Sequence, residues 1–155
     1  MSEALSIVWA TPAEAAAMAE AHAGAFDEPW LEQDFEDLLE GAGIYGFIAK
    51  GEAPLGVILC RVAAEEMEVL TLGVALAARR RGVARALMTA GLEAARRAGA
   101  GSCFLEVAVD NPAAVELYES LGFRRAGVRR RYYDRGGGEF VDAHVMRLDL
   151  NAAAP

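Results

Sequence analysis

The sequence predicts an α/β (α+β) domain in three layers, a mixed sheet with helices on both faces. Three observations lead there. The first half holds short apolar runs bounded by glycine and proline, the mark of strands. After Arg81 the spacing changes: Val83, Leu87, Ala90, Ala94 and Ala98 recur every three or four residues and draw one apolar stripe along a helix. Ser102 to Val109 is then a nearly continuous apolar run, the pattern of a strand covered on both faces.

Leu5 to Trp9 reads as the first strand, and Thr11-Pro12 as an N-cap with a first-turn proline opening a helix. A second helix follows Pro29, from Leu31 to Leu39, and Gly41 ends it. Ile44 to Lys50 and Leu55 to Val62 read as a hairpin joined by the Gly51-to-Pro54 turn, and Met67 to Val74 is a further strand. The striped helix spans Val83 to Ala98 and stops at Gly99 and Gly101. Asn111-Pro112 repeats the cap-and-proline signal for a helix ending at Gly122, with Phe123 placed for a hydrophobic contact beyond the C-terminus. Two closing strands, Arg124 to Tyr132 and Phe140 to Leu150, flank a glycine-rich loop from Asp134 to Glu139. The order is therefore β-α-α-β-β-β-α-β-α-β-β.

A chain of 155 residues, 54% hydrophobic and 25% charged, suits one globular domain over residues 1–150 with a frayed tail over 151–155. No apolar run approaches the roughly 18 residues of a membrane helix. The alanine-rich stretch from Ala13 to Ala25 has no basic segment before it, so no signal peptide is read and a cytoplasmic location is expected. Cys60 and Cys103 lie in apolar runs without metal-ligand spacing, and His22 and His144 make no metal pair; buried thiols and no metal are the expectation. The net charge of −8 conceals an asymmetry. Through Ala75 two basic residues face fourteen acidic ones, a balance of −12; from Leu76 onward thirteen face nine, a balance of +4. That split suits one surface for an anion and another for a cation. The acidic total argues against nucleic acid, whose phosphates need a sustained basic surface.

The most specific segment is Arg79-Arg80-Arg81-Gly82-Val83-Ala84, between a strand and the striped helix. Small residues at 82 and 84 let a diphosphate approach the backbone, the first helical turn offers unpaired N–H groups, and arginines add charge-assisted bonds. The spacing excludes a P-loop, which needs lysine after the glycine, and GxGxxG. Arg79-x-x-Gly82-x-Ala84 after a strand resembles the pyrophosphate-binding motif of the GNAT acetyltransferases. Phe104-Leu105-Glu106-Val107, Asn111-Pro112-Ala113-Ala114 and Leu117-Tyr118-Glu119-Ser120-Leu121-Gly122-Phe123 resemble the GNAT C-terminal half in order and spacing. Pro29-Trp30, Arg130-Arg131-Tyr132-Tyr133 and Asp142-Ala143-His144-Val145-Met146 are similar to the ribosomal-protein alanine N-acetyltransferase (RimI-type) branch. The resemblance implies a GNAT fold, a mixed and mostly antiparallel sheet of about seven strands. It also implies acetyl-CoA as cosubstrate, no metal, and the N-terminal α-amine of a basic protein, such as a ribosomal small-subunit protein, as acceptor. The acidic segment Asp27 to Glu40 suits such a peptide.

An amine attacking a thioester must be neutral and must then lose a proton. Glu106, ending an apolar strand, is the candidate base, with Glu66 and Glu68 in reserve. Tyr118, one turn from Ala114 and Leu121 on an inward helix face, is the candidate donor to the leaving thiolate. By resemblance, a bulge in the fourth strand at Leu72, Gly73 and Val74 aims backbone N–H groups at the thioester, and Asn111 contacts the cofactor. A glycine inside a strand independently marks a bulge or a close approach. Trp30, Tyr132 and Tyr133 are candidates for the acceptor mouth, with core packing the alternative for each. The rival functions are a small-molecule amine or lysine acetyltransferase and a non-catalytic acyl-CoA-binding subunit.

Overall fold

The computed structural model describes residues 5–26 and 29–151. The tail from residue 152 onward, and residues 27 and 28 of the acidic segment, lie outside the described residues. The elements are β1 (Ser6–Ala10), α1 (Ala15–Ala23), α2 (Glu32–Leu39), β2 (Ile44–Lys50), β3 (Pro54–Ala63), β4 (Glu66–Val74), α3 (Val83–Arg97), β5 (Ser102–Ala108), α4 (Pro112–Ser120), β6 (Arg124–Gly136) and β7 (Glu139–Asp149). Their order is the one expected. The strands form one sheet, β1-β2-β3-β4-β5-β7-β6, antiparallel at every junction except β4–β5.

Period-2 alternation divides the buried side chains between two faces. On one face Ile58, Met67, Val69, Leu105 and Val107 pack against Leu87, Met88 and Leu92 of α3 and Val115 and Tyr118 of α4. On the other, Ile48, Val57 and Leu59 pack against Met18 and Ala21 of α1 and Phe35 of α2. The sandwich of three layers is thus α3 and α4, sheet, α1 and α2. Cys60 and Cys103 are buried free thiols in the first layer, and burial pushes Cys103 up to about 12.

The β4–β5 junction sets the site. The two strands pair over three positions only, Glu66 with Ser102, Met67 with Cys103 and Glu68 with Phe104. Against β3, Val69 pairs with Cys60 and Thr71 with Leu59, so Leu70 is an extra residue in β4. Such a bulge bends its strand. Beyond it β4 leaves β5, and a gap opens in the middle of the sheet.

Two helix ends are held by backbone bonds. At the end of α4 the Phe123 N–H donates to Tyr118 O and the Gly122 N–H to Glu119 O, each at 3.0 Å, with Gly122 at φ 102°. Phe123 packs its ring 5.9 Å from that of Tyr118. This is a Schellman ending with its hydrophobic contact, and it fixes Tyr118 at the root. Ala100 and Gly99 close α3 the same way, on Ala95 O and Arg96 O.

Two local expectations are corrected. The Thr11 side chain caps nothing: Pro12–Glu14 forms a 3₁₀ turn closed by the Glu14 N–H on Thr11 O, and α1 begins only at Ala15. The predicted Asp134–Glu139 loop is mostly strand. β6 runs to Gly136 and β7 starts at Glu139, joined by Gly137 and Gly138 at φ 61° and 82°, the two positive angles a tight hairpin turn requires.

Candidate active site

A cleft of about 710 Å³ fills the gap between β4 and β5. One end is the start of α3. Gly82 there has φ 76°, and apart from its chain neighbours no atom of the described residues lies within 4 Å of where a side chain would begin. No side chain caps this helix. The first-turn N–H groups, which an α-helix leaves without internal partners, therefore face the cleft beside Arg80, Gly82, Val83, Ala84 and Arg85. Open backbone, orphan donors and guanidinium groups together suit a diphosphate. Along β4, the cleft is walled by Leu72, Gly73 and Val74, on the strand edge that β5 no longer occupies.

Glu106 and Tyr118 approach this gap from opposite faces. Leu105 and Val107 point into the α3–α4 layer with Tyr118, so Glu106, between them on β5, points to the α1–α2 side. Both line the cleft. The Tyr118 residue is 8% exposed, its hydroxyl has no hydrogen-bond partner among the described residues, and burial pushes the phenol well above its ordinary value. Because no buried polar side-chain atom among the described residues lacks a partner, that hydroxyl opens onto the cleft. The Tyr133 hydroxyl donates to Glu106 O at 3.1 Å and, chiefly through burial, titrates near 12. Arg129 Nη1 donates to Glu106 Oε1 at 2.8 Å.

The remaining predicted residues divide. Arg80, Asn111 and Tyr133 line the cleft with the small residues of the phosphate loop. Asn111 also caps α4, its Oδ1 accepting from the Ala114 N–H at 3.3 Å. Arg79 lines the cleft but spends its guanidinium on two carbonyls, Val74 O at 3.2 Å and Ala25 O at 3.4 Å, which pins the end of α1 to β4. Arg81 and Tyr132 do not line it; Tyr132 lies 42% exposed under the Arg129 guanidinium. Trp30 packs against His22 and Phe35 in the α1–α2 layer, the core alternative. The bulge is at Leu70 rather than at Leu72–Val74, and Gly73 pairs regularly with Val57. Gly73 marks a close approach instead: a Cβ there would sit 2.8 Å from Phe26 Cε2.

Sequence reasoning missed two cleft residues, Thr71 and Arg85, the latter bonding Ser120 Oγ at the end of α4 at 2.6 Å. The Trp30 N–H donates to His22 Nδ1 at 3.0 Å, so the proton is on Nε2, which donates to Thr71 Oγ1 at 3.0 Å. That leaves the Thr71 hydroxyl proton free to turn elsewhere. His22 is buried and neutral, lowered by desolvation to about 4. Arg85 was legible as the next cation on the helical face of the phosphate loop; the His22–Thr71 contact spans 49 residues and leaves no local signal.

Residues 15–123 match the acetyltransferase (GNAT) family. The chain is 38% identical over 155 residues to the N-alpha-acetyltransferase RimI of Mycobacterium tuberculosis, covering 96% of this chain and 94% of that one. It is 31% identical over 124 residues to the ribosomal protein bS18-alanine N-acetyltransferase of Escherichia coli K12, covering 79% and 82%. Among solved structures, the ribosomal-protein-S18-alanine N-acetyltransferase from Escherichia coli superposes with a TM-score of 0.87 at 28% identity, over 97% of both chains. The yncA protein of Salmonella typhimurium, solved with its cofactor acetyl-CoA, shares the fold with a TM-score of 0.80 at 22% identity, over 98% of this chain and 97% of that one.

Proposed function

The chain belongs to the GNAT family and is an acetyl-CoA-dependent N-acetyltransferase, and from that premise we propose that it acetylates the α-amine of a protein N-terminus by direct attack in a ternary complex. N-terminal alanine of a ribosomal small-subunit protein is the proposed acceptor, supported by full-length likeness to proteins named for that activity. The observation that carries the mechanism is the meeting of Glu106 and Tyr118, from opposite faces, at one gap in the sheet.

The free first-turn N–H groups of α3, with Gly82, Arg80 and Arg85, hold the diphosphate. The open edge of β4 at Leu72–Val74 offers backbone groups to the pantetheine amides, as an added strand would take them. The acceptor comes from the α1–α2 side and meets Glu106, which takes the amine proton. Tyr118 serves the leaving thiolate from the α4 side. A phenol raised above about 10 is a weaker acid than a thiol near about 8.5. Tyr118 therefore stabilises the thiolate as a hydrogen-bond donor, and full proton transfer from it is uphill. Buried, unpaired thiols at Cys60 and Cys103 suit a cytoplasmic enzyme.

An acceptor screen tests the reading: acetyl-CoA offered with an Ala-initiated peptide, its N-terminally blocked twin, a lysine peptide and a polyamine. Acetylation of the free N-terminus is expected to exceed the rest. A polyamine or an internal lysine acetylated faster would leave a GNAT enzyme with a different acceptor.

A further inference from the structure

Glu106 is covered. Its side chain is 9% exposed and that of Arg129 is 55% exposed, so the guanidinium lies over the carboxylate on its solvent side. A base must come within about 2.6–3.2 Å of the nitrogen whose proton it takes. Arg129 Nη1, at 2.8 Å, already holds that position on Oε1. Guanidinium and ammonium groups carry the same charge and both present only N–H donors.

The chain around Arg129 provides for its departure. β6 leaves its ladder just beyond it: Arg129 pairs with Ala143 and Tyr133 with Val141, so Arg130, Arg131 and Tyr132 together face the single residue Asp142. Arg131 is in the left-handed region at φ 52°, with its N–H on Asp142 Oδ1 at 2.9 Å. The Arg129 guanidinium also lies 4.5 Å from the centroid of the Tyr132 ring, a seat that binds a cation without the carboxylate.

We infer that Arg129 stands in for the acceptor at Glu106, and that the acceptor binds by exchanging its own ammonium for this guanidinium. The inference rests on the role proposed above for Glu106. Leaving a nearly buried carboxylate without a cation is costly, so exchange of one cation for another is the low-cost route to the base. The arriving ammonium gives one N–H proton to Glu106 Oε1, which frees the nitrogen lone pair for attack on the thioester carbonyl. The carboxyl group, now neutral, no longer needs Arg129, which rests on Tyr132. As the C–S bond breaks, the second nitrogen proton passes to the leaving CoA sulfur, and Glu106 afterwards returns its proton to water. A neutral or anionic segment offers no such compensation, so Arg129 is a specificity-determining residue that selects acceptors bringing positive charge.

Steady-state kinetics with an Ala-initiated basic peptide test this on the wild type, Arg129→Gln and Arg129→Lys. Removing the guanidinium is expected to lower the peptide KM about two- to fivefold, the scale of an exposed ion pair, while kcat stays within about threefold. The acetyl-CoA KM should not move, and Arg129→Lys should keep the wild-type peptide KM. Methylguanidine should inhibit Arg129→Ala competitively against peptide and not against acetyl-CoA. A peptide KM that rises or holds in Arg129→Gln overturns the exchange, and so does a loss confined to kcat, the sign of a residue that merely orients Glu106. Failure of the N-terminal reading shows separately, as wild-type acetylation of the blocked peptide. The same KM comparison with whichever amine the wild type accepts then still decides the exchange.

Discussion

At Glu106 the proposed task is uptake of a proton from an amine, and a more basic solution performs that task unaided; nothing in solution replaces a donor placed at the leaving sulfur. Glu106→Gln should therefore lose turnover most at acidic pH and recover in part as pH rises. Tyr118→Phe should lose turnover without that recovery. General acid–base steps are worth about 10²–10⁴-fold, so a loss below about threefold in either variant, read from kcat across pH, would make that residue structural. His22 gives a second test at this scale, this time on stability. Its folded pKa of about 4 lies below the ordinary 6.5, so between those values the unfolded chain binds the extra proton. The contribution is full above pH 6.5 and is lost as pH falls toward 4. Protonating Nδ1 would also break its bond with the Trp30 N–H. Thermal melts should show Tm falling by about 6–12 °C over this window, for a loss on the order of 3 kcal/mol. His22→Gln should flatten that slope, and an unchanged slope would mean that other groups carry it.

At the scale of elements, the phosphate loop and the α4 ending are testable through their glycines. Gly82→Asp puts a carboxylate where the diphosphate is proposed to lie. Nothing within 4 Å obstructs the new side chain, and aspartate tolerates a left-handed backbone, so the fold should survive while CoA binding is lost. Calorimetry finding wild-type affinity in a folded variant would remove the assignment. Gly122→Ala forces a Cβ onto φ 102° and to 3.1 Å from Leu148 Cδ1. The expected cost is about 1–2 kcal/mol, a Tm fall of about 2–8 °C, with a loss of kcat because the same turn anchors Tyr118. These features were legible in the sequence because each is written in consecutive residues: Arg79 to Ala84, Asn111-Pro112 and Gly122-Phe123. The element order was legible for the same reason. The Leu70 bulge was not, because it exists only as a register between β4 and β3, and Gly73 drew attention to itself for a packing reason that involves Phe26. The partners of Arg79 and Trp30 were not legible on the same ground, since Ala25 O, His22 and Phe35 come from other elements. The contact of Arg129 with Glu106 left no local signal either, because only the register of β6 brings the two together.

At the scale of the whole molecule, the charge split of −12 and +4 separates the basic loop before α3 from the acidic α2. The basic loop opens the cleft at α3, whereas Glu32, Asp34 and Asp37 on α2, and Glu40 at its end, lie exposed; α2 covers the same face toward which Glu106 points. An anionic cosubstrate and a cationic acceptor can therefore approach from opposite sides without competing for one field. The acceptor's own chemistry adds a second selection. An α-amine with a pKa near about 8 is partly neutral at pH 7, whereas a lysine amine is about 0.1% neutral or less, and one carboxylate is a modest base. An Ala-initiated peptide with arginine or lysine just after the first residue should outperform both its blocked twin and an acidic variant, by kcat/KM, on the order of tenfold at low salt. Since α2 acts from the surface, raising ionic strength past about 0.1 M, where the Debye length is about 10 Å, should shrink the preference over the acidic variant. It should leave the preference over the blocked peptide intact, because that one depends on the amine itself. A basic preference that persists unchanged in high salt would place its origin in direct contacts within the gap rather than in the field of α2.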